Sequence, residues 1–318
     1  MSRIRVFFLP DYPINYFSKF SVVDIPTLKK MIKDANKTHC LNDPFDIRKV
    51  DLDKMLSGLA ETYALIINSS LTSGVFPSSE KIAYVRPLKK SGKSANEISS
   101  YRPVSNLSFL SKLLEKCVLD QLLDHMNNFE SIPKFQSAYR KFHSVETAIC
   151  RIYNDLLINK CNNKCSMLIL LDQTAAFDTV DHSLLLRDLE HFGVTGTALA
   201  WLKSYLTNRT FRVVIDDVTS EPANLESSVP QGSNLGPFLY SIYTIELYHL
   251  LLYYNVSCHF YADDTQIYIV VSDMESTSVH LNAILEVVNK WMQKKETETK
   301  YKQNGCYLSW DKLWSARI

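Results

Sequence analysis

The chain has 318 residues, of which 46% are hydrophobic and 22% are charged. This is the composition of an ordinary globular protein, so it argues against disorder and against collagen-like or repeat architectures. The 35 basic and 34 acidic side chains give a net charge of +1, which taken alone argues against a nucleic-acid partner, because domains that bind nucleic acids usually carry a clear positive excess.

The spacing of apolar residues, together with Gly and Pro breaks, predicts a mixture of helices and strands. In chain order we expect a helix over 52–71, a strand over 81–88, helices over 107–129 and 145–159, a buried strand over 166–171, helices ending at Gly193 and over 198–206, strands over 211–215 and 224–229, a helix over 237–254, and strands over 259–261 and 266–271. The irregular order of these elements indicates an α+β fold, not a regular βαβ alternation.

Three aspartates follow or join predicted strands. Asp172 ends the apolar run at 166–171, and Asp263 and Asp264 lie at the tip of a predicted hairpin. Phosphoryl transfer needs such carboxylates, because two magnesium ions activate the attacking oxygen and stabilise the leaving one, and magnesium prefers carboxylate oxygens. An Asp-Asp pair alone is more often simple turn chemistry, and Asp172 shifts the balance towards a metal site.

A polar loop with two glycines, VPQGSNLGP at residues 229–237, precedes the longest apolar helix. The backbone at Gly232 can approach a bound nucleotide or template closely, which is a functional use of glycine. Without other signals this segment is equally well explained as a loop and a helix start. The acids Asp178 and Asp181 are explained as helix caps, and we assign them no metal.

Basic residues cluster between residues 81 and 103, where six Lys and Arg side chains stand against one acid. Such a run is more often a solvated face, but the interleaved Tyr84 and Tyr101 favour a surface that binds phosphates. Seven cysteines lack the spacing of a zinc site. No segment is long enough for a membrane span and no convincing signal peptide is present, so we expect reduced thiols in a cytoplasmic or nuclear protein that is not secreted.

Five ordered blocks resemble the reverse transcriptase of non-LTR, LINE-like retrotransposons, and within that group the jockey-like elements. No single block would establish the resemblance, which covers roughly residues 73–292, but five blocks in order are specific. They are YRPVSNLSFLSKLLEK (101–116), FQSAYRKFHSVETA (135–148), LILLDQTAAFDTVDH (168–182), VPQGSNLGP (229–237) and FYADDTQIY (260–268).

The resemblance implies the right-hand fold of polymerases, with fingers over about 73–165 and a palm over about 166–292. A helical lead-in at 1–72 precedes it. Residues 293–318 match nothing in the family and are predicted to be an unrelated tail. We therefore expect a domain truncated at both ends, without the upstream endonuclease and without the thumb.

The resemblance also implies residue roles. The catalytic acids are Asp172, Asp263 and Asp264, of which Asp172 and Asp263 bind two Mg²⁺ ions, with Mn²⁺ as an alternative. Phe177 matches the steric gate that excludes a ribose 2′-hydroxyl. The substrate contacts come from Gln231 and Gly232 to the nucleotide and template, and from Arg102 with Lys89 or Lys90 to the triphosphate.

The implied activity is RNA-directed DNA polymerisation, in which a primer 3′-hydroxyl attacks the α-phosphate of a deoxynucleotide. The implied partners are an RNA template, a DNA primer and deoxynucleoside triphosphates, with no membrane. The alternative is a catalytically inactive retrotransposon remnant that at most binds nucleic acid. The oligomeric state does not follow from the sequence.

Overall fold

The computed structural model describes residues 16–35, 52–97, 100–127, 136–138, 140, 142–171, 177–216 and 218–300, with only the backbone described for 35, 52–55, 57 and 296–300. Within these ranges the chain has eight α-helices and eight β-strands, which confirms the predicted α+β class. The helices are α1 (Ile25–Ala35), α2 (Leu52–Ser73), α3 (Phe109–Asn127), α4 (Val145–Cys161), α5 (His182–His191), α6 (Gly196–Leu206), α7 (Gly236–Tyr253) and α8 (Met274–Lys300). The strands are β1 (Ile82–Lys89), β2 (Tyr101–Asn106), β3 (Cys165–Leu171), β4 (Arg209–Ile215), β5 (Val218–Thr219), β6 (Ala223–Leu225), β7 (Ser257–Tyr261) and β8 (Asp264–Val271).

The first sheet has the strand order β2-β1-β4-β5, with β6 also paired to β4. Strand β1 runs parallel to β4 and antiparallel to β2. Pro87 and Pro103 lie opposite each other beyond the stretch of β1 that β4 contacts, where the missing N–H of a proline interrupts no third strand. The sequence did not predict β2, because Pro103, Ser105 and Asn106 hide its strand pattern. This sheet also joins strands from both sides of the division expected near residue 165.

The second sheet is fully antiparallel, in the order β3-β8-β7. Met167 and Ile169 on one face of β3 pack against the core formed with α7 and α8. On the other face Leu168 is 43% exposed and Leu170 is 69% exposed. The prediction of a strand here is confirmed, but its burial is wrong, because β3 is covered well on one face only.

The predicted hairpin is confirmed as β7 and β8, with a shorter loop than expected. Tyr261 pairs with Asp264, so the connection consists of Ala262 and Asp263 alone. Asp264 is the first residue of β8 and is not part of the loop. Of the two acids placed at the tip by the sequence, only Asp263 lies in the connection.

Helix α7 joins two apolar cores. Its first half packs with α2, α3, α5 and α6 around Trp201, and its second half packs with α8 against the second sheet. Pro237 stands in its first turn, where a missing N–H leaves no intrahelical bond unmade. Because α7 is buried around most of its circumference, it fixes the second sheet relative to the helical core.

The other predicted elements agree with the structure except in their ends. The strand expected over 224–229 is confined to β6, and Asp181 caps α5 as predicted, accepting from the N–H groups of Ser183 and Leu184 at 2.7 and 2.9 Å. Helix α8 continues without a break past the boundary expected at residue 293. Among the described residues, no helix is long and apolar enough to cross a membrane.

Candidate active site

The connection between β7 and β8 holds Asp263 in a strained turn. Ala262 has a φ of +57°, a left-handed conformation that residues other than Gly, Asn and Asp adopt rarely. The flanking pair Tyr261–Asp264 closes the turn. A backbone held in a sparsely populated conformation is a feature of functional sites, and here it presents the half-buried Asp263 at the end of the sheet.

Tyr240 of α7 lies beside Asp263. Burial, followed by the negative charge of Asp263 and the neighbouring Tyr243, raises the pKa of the Tyr240 phenol. The side chain is 2% exposed, so it remains a neutral ring within reach of the aspartate charge. The sequence did not single out Tyr240, because one aromatic residue in an almost uniformly apolar helix carries no distinguishing signal.

The ring of Phe177 stacks on the ring of Tyr240, with centroids 4.8 Å apart and planes 24° from parallel. The carbonyl oxygen of Phe177 accepts a hydrogen bond from the N–H of Val229 at 3.1 Å. Phe177 is thus held by the Tyr240 ring on one side and, through its own carbonyl oxygen, by the N–H of Val229. Phe177 and Tyr240 are in ring contact, and Asp263 lies near enough for its charge to raise the pKa of the Tyr240 phenol.

The glycine loop, defined here as residues 229–235, is docked against β2. The N–H of Ser105 donates to the carbonyl oxygen of Gln231 at 2.8 Å. Gly232 has a φ of +108°, and a Cβ built on it would lie 2.6 Å from the carbonyl oxygen of Ser105. Glycine is therefore required at position 232 both by its backbone conformation and by the close approach to β2.

The predicted phosphate contacts lie on the strand pair that the glycine loop touches. Lys89 pairs with Tyr101 and Leu88 pairs with Arg102, so Lys89 and Arg102 share one end of the β1–β2 ladder. Arg102 and Lys89 are exposed, and Lys90 is half-buried. Arg102 stands three residues before Ser105, which is about 10 Å along an extended strand. The structure places the basic residues at one end of the β1–β2 ladder and docks the glycine loop against β2 farther along, at Ser105.

The third predicted acid, Asp172, lies outside the described residues. Its chain neighbour Leu171 ends β3 and pairs with Thr265, the residue after Asp264. Within the ranges given above, no group of three or more His, Cys, Asp or Glu side chains could hold a metal ion. The metal assignment of Asp172 and Asp263 therefore stays a prediction.

A buried acid missed by the sequence contacts the end of the glycine loop. Glu115 of α3 is fully buried, and its Oε2 accepts the N–H of Asn234 at 2.7 Å. Arg209, at the start of β4, is also buried and lies close enough to oppose the rise that burial causes in the pKa of Glu115. A signal was present, since Glu115 falls at the spacing of the apolar residues that bury one face of α3.

Comparison with known proteins decides the family. Residues 88–311 match the family model described as reverse transcriptase (RNA-dependent DNA polymerase). The chain belongs to the reverse transcriptase family. All nine site residues predicted from the sequence lie in the matched range, which also includes part of the segment expected to be an unrelated tail.

Curated relatives of this reverse transcriptase domain include RNA-directed DNA polymerases from mobile elements of Drosophila. The chain is 33% identical to the RNA-directed DNA polymerase from mobile element jockey of Drosophila melanogaster, over 89% of this chain and 31% of that protein. It is 34% identical to the probable RNA-directed DNA polymerase from transposon BS of the same species, over 63% of this chain and 23% of that protein. The jockey protein of Drosophila funebris is 33% identical over 71% of this chain and 26% of its own length. The chain thus spans about a third or less of these relatives.

Proposed function

We propose that this chain is an RNA-directed DNA polymerase domain that extends a DNA primer along an RNA template with deoxynucleoside triphosphates. The observation that carries the proposal is the contact of Phe177 with Tyr240 and with the glycine loop, near the charge of Asp263, within the matched family segment. In the reaction the primer 3′-oxygen attacks the α-phosphorus of the deoxynucleotide, and pyrophosphate leaves.

We assign two Mg²⁺ ions, or Mn²⁺ in their place, to the carboxylates of Asp172 and Asp263, with Asp264 in a supporting role. The donor set fits a hard cation, since Asp263 is a carboxylate held half-buried at a strained turn with the exposed Asp264 next to it. Ions bound there lower the pKa of the primer hydroxyl and neutralise charge on the phosphates. The chain itself contributes a fixed position for the carboxylate, because the turn leaves Asp263 little backbone freedom.

The remaining residues bind and select the nucleotide in this proposal. Phe177 acts as the steric gate, because a ring stacked on the buried Tyr240 has no open space on that side to yield to a ribose 2′-hydroxyl. Gln231 and Gly232 contact the nucleotide and template. The exposed side chains of Lys89 and Arg102, with the half-buried Lys90, compensate the triphosphate charge.

In the right-hand description, we assign β1, β2 and α3 to fingers and the second sheet with α7 to a palm. The palm assignment rests on Asp263 at the end of that sheet, and the fingers assignment on the basic residues of the β1–β2 ladder. The five cysteines in the described ranges are free thiols, as is usual in the cytoplasm and nucleus, where we place the activity.

Primer extension on an RNA template annealed to a DNA primer, with Mg²⁺ and four deoxynucleotides, tests the proposal. The wild-type chain should extend the primer, and Asp263→Asn should lose at least about 10³-fold of the rate, as removal of a catalytic carboxylate does. Asp120→Asn is the matched control, an aspartate with a 47% exposed side chain that pairs with Lys116 on the surface of α3.

Circular dichroism of all three proteins establishes that each is folded. Extension by wild type and Asp120→Asn but not by Asp263→Asn supports a polymerase. Equal extension by all three would contradict the assignment of Asp263. Binding of the template-primer without extension by folded wild-type protein would favour the inactive remnant.

A further inference from the structure

Glu115 is a buried carboxylate aimed at the start of α7. Its Oε2 accepts the backbone N–H of Asn234 at 2.7 Å, and its Oε1 accepts the Tyr205 hydroxyl at 3.1 Å. Ser111, one turn earlier on α3, donates to the same Oε1 at 3.4 Å. A buried acid surrounded by donors contributes far more to local order than an exposed one, because a lost partner leaves a buried group unpaired.

Arg209 supplies the opposite charge. It is 1% exposed, its guanidinium stacks 4.9 Å from the centroid of the Tyr205 ring, and its Nη1 donates to the Tyr205 carbonyl oxygen at 3.0 Å. Burial raises the pKa of Glu115, and Arg209 is the largest influence that opposes this rise, ahead of the N–H of Asn234 and the Tyr205 hydroxyl. Charge and hydrogen bonds together favour an acceptor carboxylate at this point.

The same end of the glycine loop is attached to α3 a second time. Asn234 donates through its side-chain amide to the carbonyl oxygen of Lys112 at 2.8 Å. At the other end, the N–H of Ser105 on β2 donates to Gln231. The loop is thus clamped between β2 and α3, and Glu115 is the buried charge in that clamp.

The clamp is one helical turn from the stacked rings. Gly236, the first residue of α7, precedes Tyr240 by four residues, which is about 6 Å along the axis. Tyr240 carries the ring on which Phe177 stacks and lies beside Asp263. A displacement of the helix start therefore moves both rings and the glycine loop, and shifts of about 1 Å in an active site reduce rates by about 10²-fold.

We propose that Glu115 is a positioning residue for nucleotide binding, which holds the glycine loop and the first turn of α7 in the geometry that places Gln231, Gly232 and the Phe177–Tyr240 stack. The inference rests on the proposed polymerase function for its kinetic consequence, and on the described contacts alone for its structural one. Glu115 acts through the loop and touches no reacting atom.

The test compares Glu115→Gln with Glu246→Gln. Both glutamates are buried, but Glu246 lies farther along α7, where its Oε2 accepts the indole N–H of Trp291. Glu115→Gln should raise the KM for deoxynucleotides by about 10-fold with a smaller change in kcat, since it disturbs binding more than chemistry. Glu246→Gln should leave the KM within about twofold at a temperature where circular dichroism shows both proteins folded.

Hydrogen–deuterium exchange supplies a readout that does not need activity. Glu115→Gln should speed exchange of amides in residues 229–240, whereas Glu246→Gln should not. Unchanged exchange there, or a KM shift equal to that of Glu246→Gln, would overturn the inference. An inactive wild-type chain would sink the polymerase proposal, and exchange would still decide whether Glu115 holds the loop. Tyr205→Phe, which removes one donor and keeps the ring, should give a smaller change of the same sign and replaces Glu115→Gln if that variant does not fold.

Discussion

Buried charges lie near the start of α7 and around Glu246 in its second half, and the two groups contact different parts of the molecule. Towards the start, Glu115 accepts from the backbone N–H of Asn234 in the glycine loop, and the nearby Arg209 donates to the carbonyl oxygen of Tyr205. Farther along, Lys295 of α8 donates to Asp188 at 2.9 Å and lies 3.6 Å from Glu246. The first group fixes the glycine loop beside the candidate active site. The second joins three helices to one another, away from that loop.

The difference indicates that burial of charge alone does not identify a functional site. Both groups contain side chains hidden from water, and both are compensated by an opposite charge. What separates them is the partner, which is a glycine loop in one case and helical side chains in the other. We therefore expect changes near the loop to alter activity, and changes near Lys295 to alter stability.

The largest expected effect is on stability, for Lys295→Ala. It leaves Asp188 and Glu246 buried without their shared cation, and breaking such a group destabilises a protein by about 3–5 kcal/mol. Urea denaturation measures this change, and the kcat/KM of the folded fraction should stay near that of wild type. Lys294→Ala is the matched control, because Lys294 is 41% exposed in its side chain and surface pairs contribute at most about 1 kcal/mol. Equal destabilisation by the two variants would contradict a special contribution of the buried Lys295 group.

Near the loop, Phe177→Val should relax sugar selection. A smaller side chain in front of Tyr240 opens room for a 2′-hydroxyl, and we expect the preference for deoxynucleotides over ribonucleotides to fall by about 10- to 100-fold. Single-nucleotide incorporation with each sugar measures the ratio. Phe211→Val, at a half-buried ring on β4, should leave the ratio unchanged, and an equal change in both variants would speak against the gate.

Gly232→Ala should combine strain with a clash. A Cβ there would meet the Ser105 carbonyl at 2.6 Å in a backbone with a φ of +108°, and such strain costs about 1–3 kcal/mol. Gly92→Ala separates the two causes, since Gly92 has a φ of +73° with nothing within 4 Å of a Cβ and should lose about 1 kcal/mol. Thermal denaturation gives the stabilities, and only Gly232→Ala should raise the KM for deoxynucleotides. A KM increase in both variants would contradict the role of the close approach.

The last effect expected is a pH dependence from His259, which is buried beside the Ser137 hydroxyl. Burial, with Arg151 as the next cause, lowers the pKa of His259 to about 4, against the opposing charge of Asp155. An unfolded histidine titrates near 6.5, so the unfolded state binds more protons between these values. Stability should therefore decrease as the pH falls from about 6.5 to about 4.

Replacement of His259 by Gln should reduce that decrease, measured by urea denaturation at several pH values. His280→Gln, at an exposed position on α8, is the control. Identical pH profiles for wild type and His259→Gln would show that this buried imidazole does not contribute.

Much of this arrangement follows from local sequence. The two strand-like runs on either side of Asp263 predict a hairpin, because antiparallel strands need only a short connection. Pro237 marks the start of α7. The two glycines of the segment 229–237 also indicate a loop. These features depend on residues close in the chain.

Other features depend on partners far along the chain, which a local pattern does not contain. Strand β2 forms because it pairs with β1, although Pro103, Ser105 and Asn106 hide its strand pattern. Asp264 joins β8 because Tyr261 pairs with it. The spacing of Glu115 on α3 indicates burial, but its contacts with Asn234 and Arg209 depend on residues far along the chain. The role of Tyr240 is likewise recognised only from its neighbours Phe177 and Asp263 in the structure.

Insertion of a single nucleotide opposite a chosen template base tests most directly whether this chain is a template-directed polymerase. Four primer–templates that differ only in the next RNA base would each be incubated with one deoxynucleotide at a time and Mg²⁺. We predict that the wild-type chain inserts the complementary deoxynucleotide in each case, and that Asp263→Asn inserts none. Insertion without regard to the template base, or undiminished insertion by folded Asp263→Asn, would contradict a polymerase centred on the β7–β8 turn.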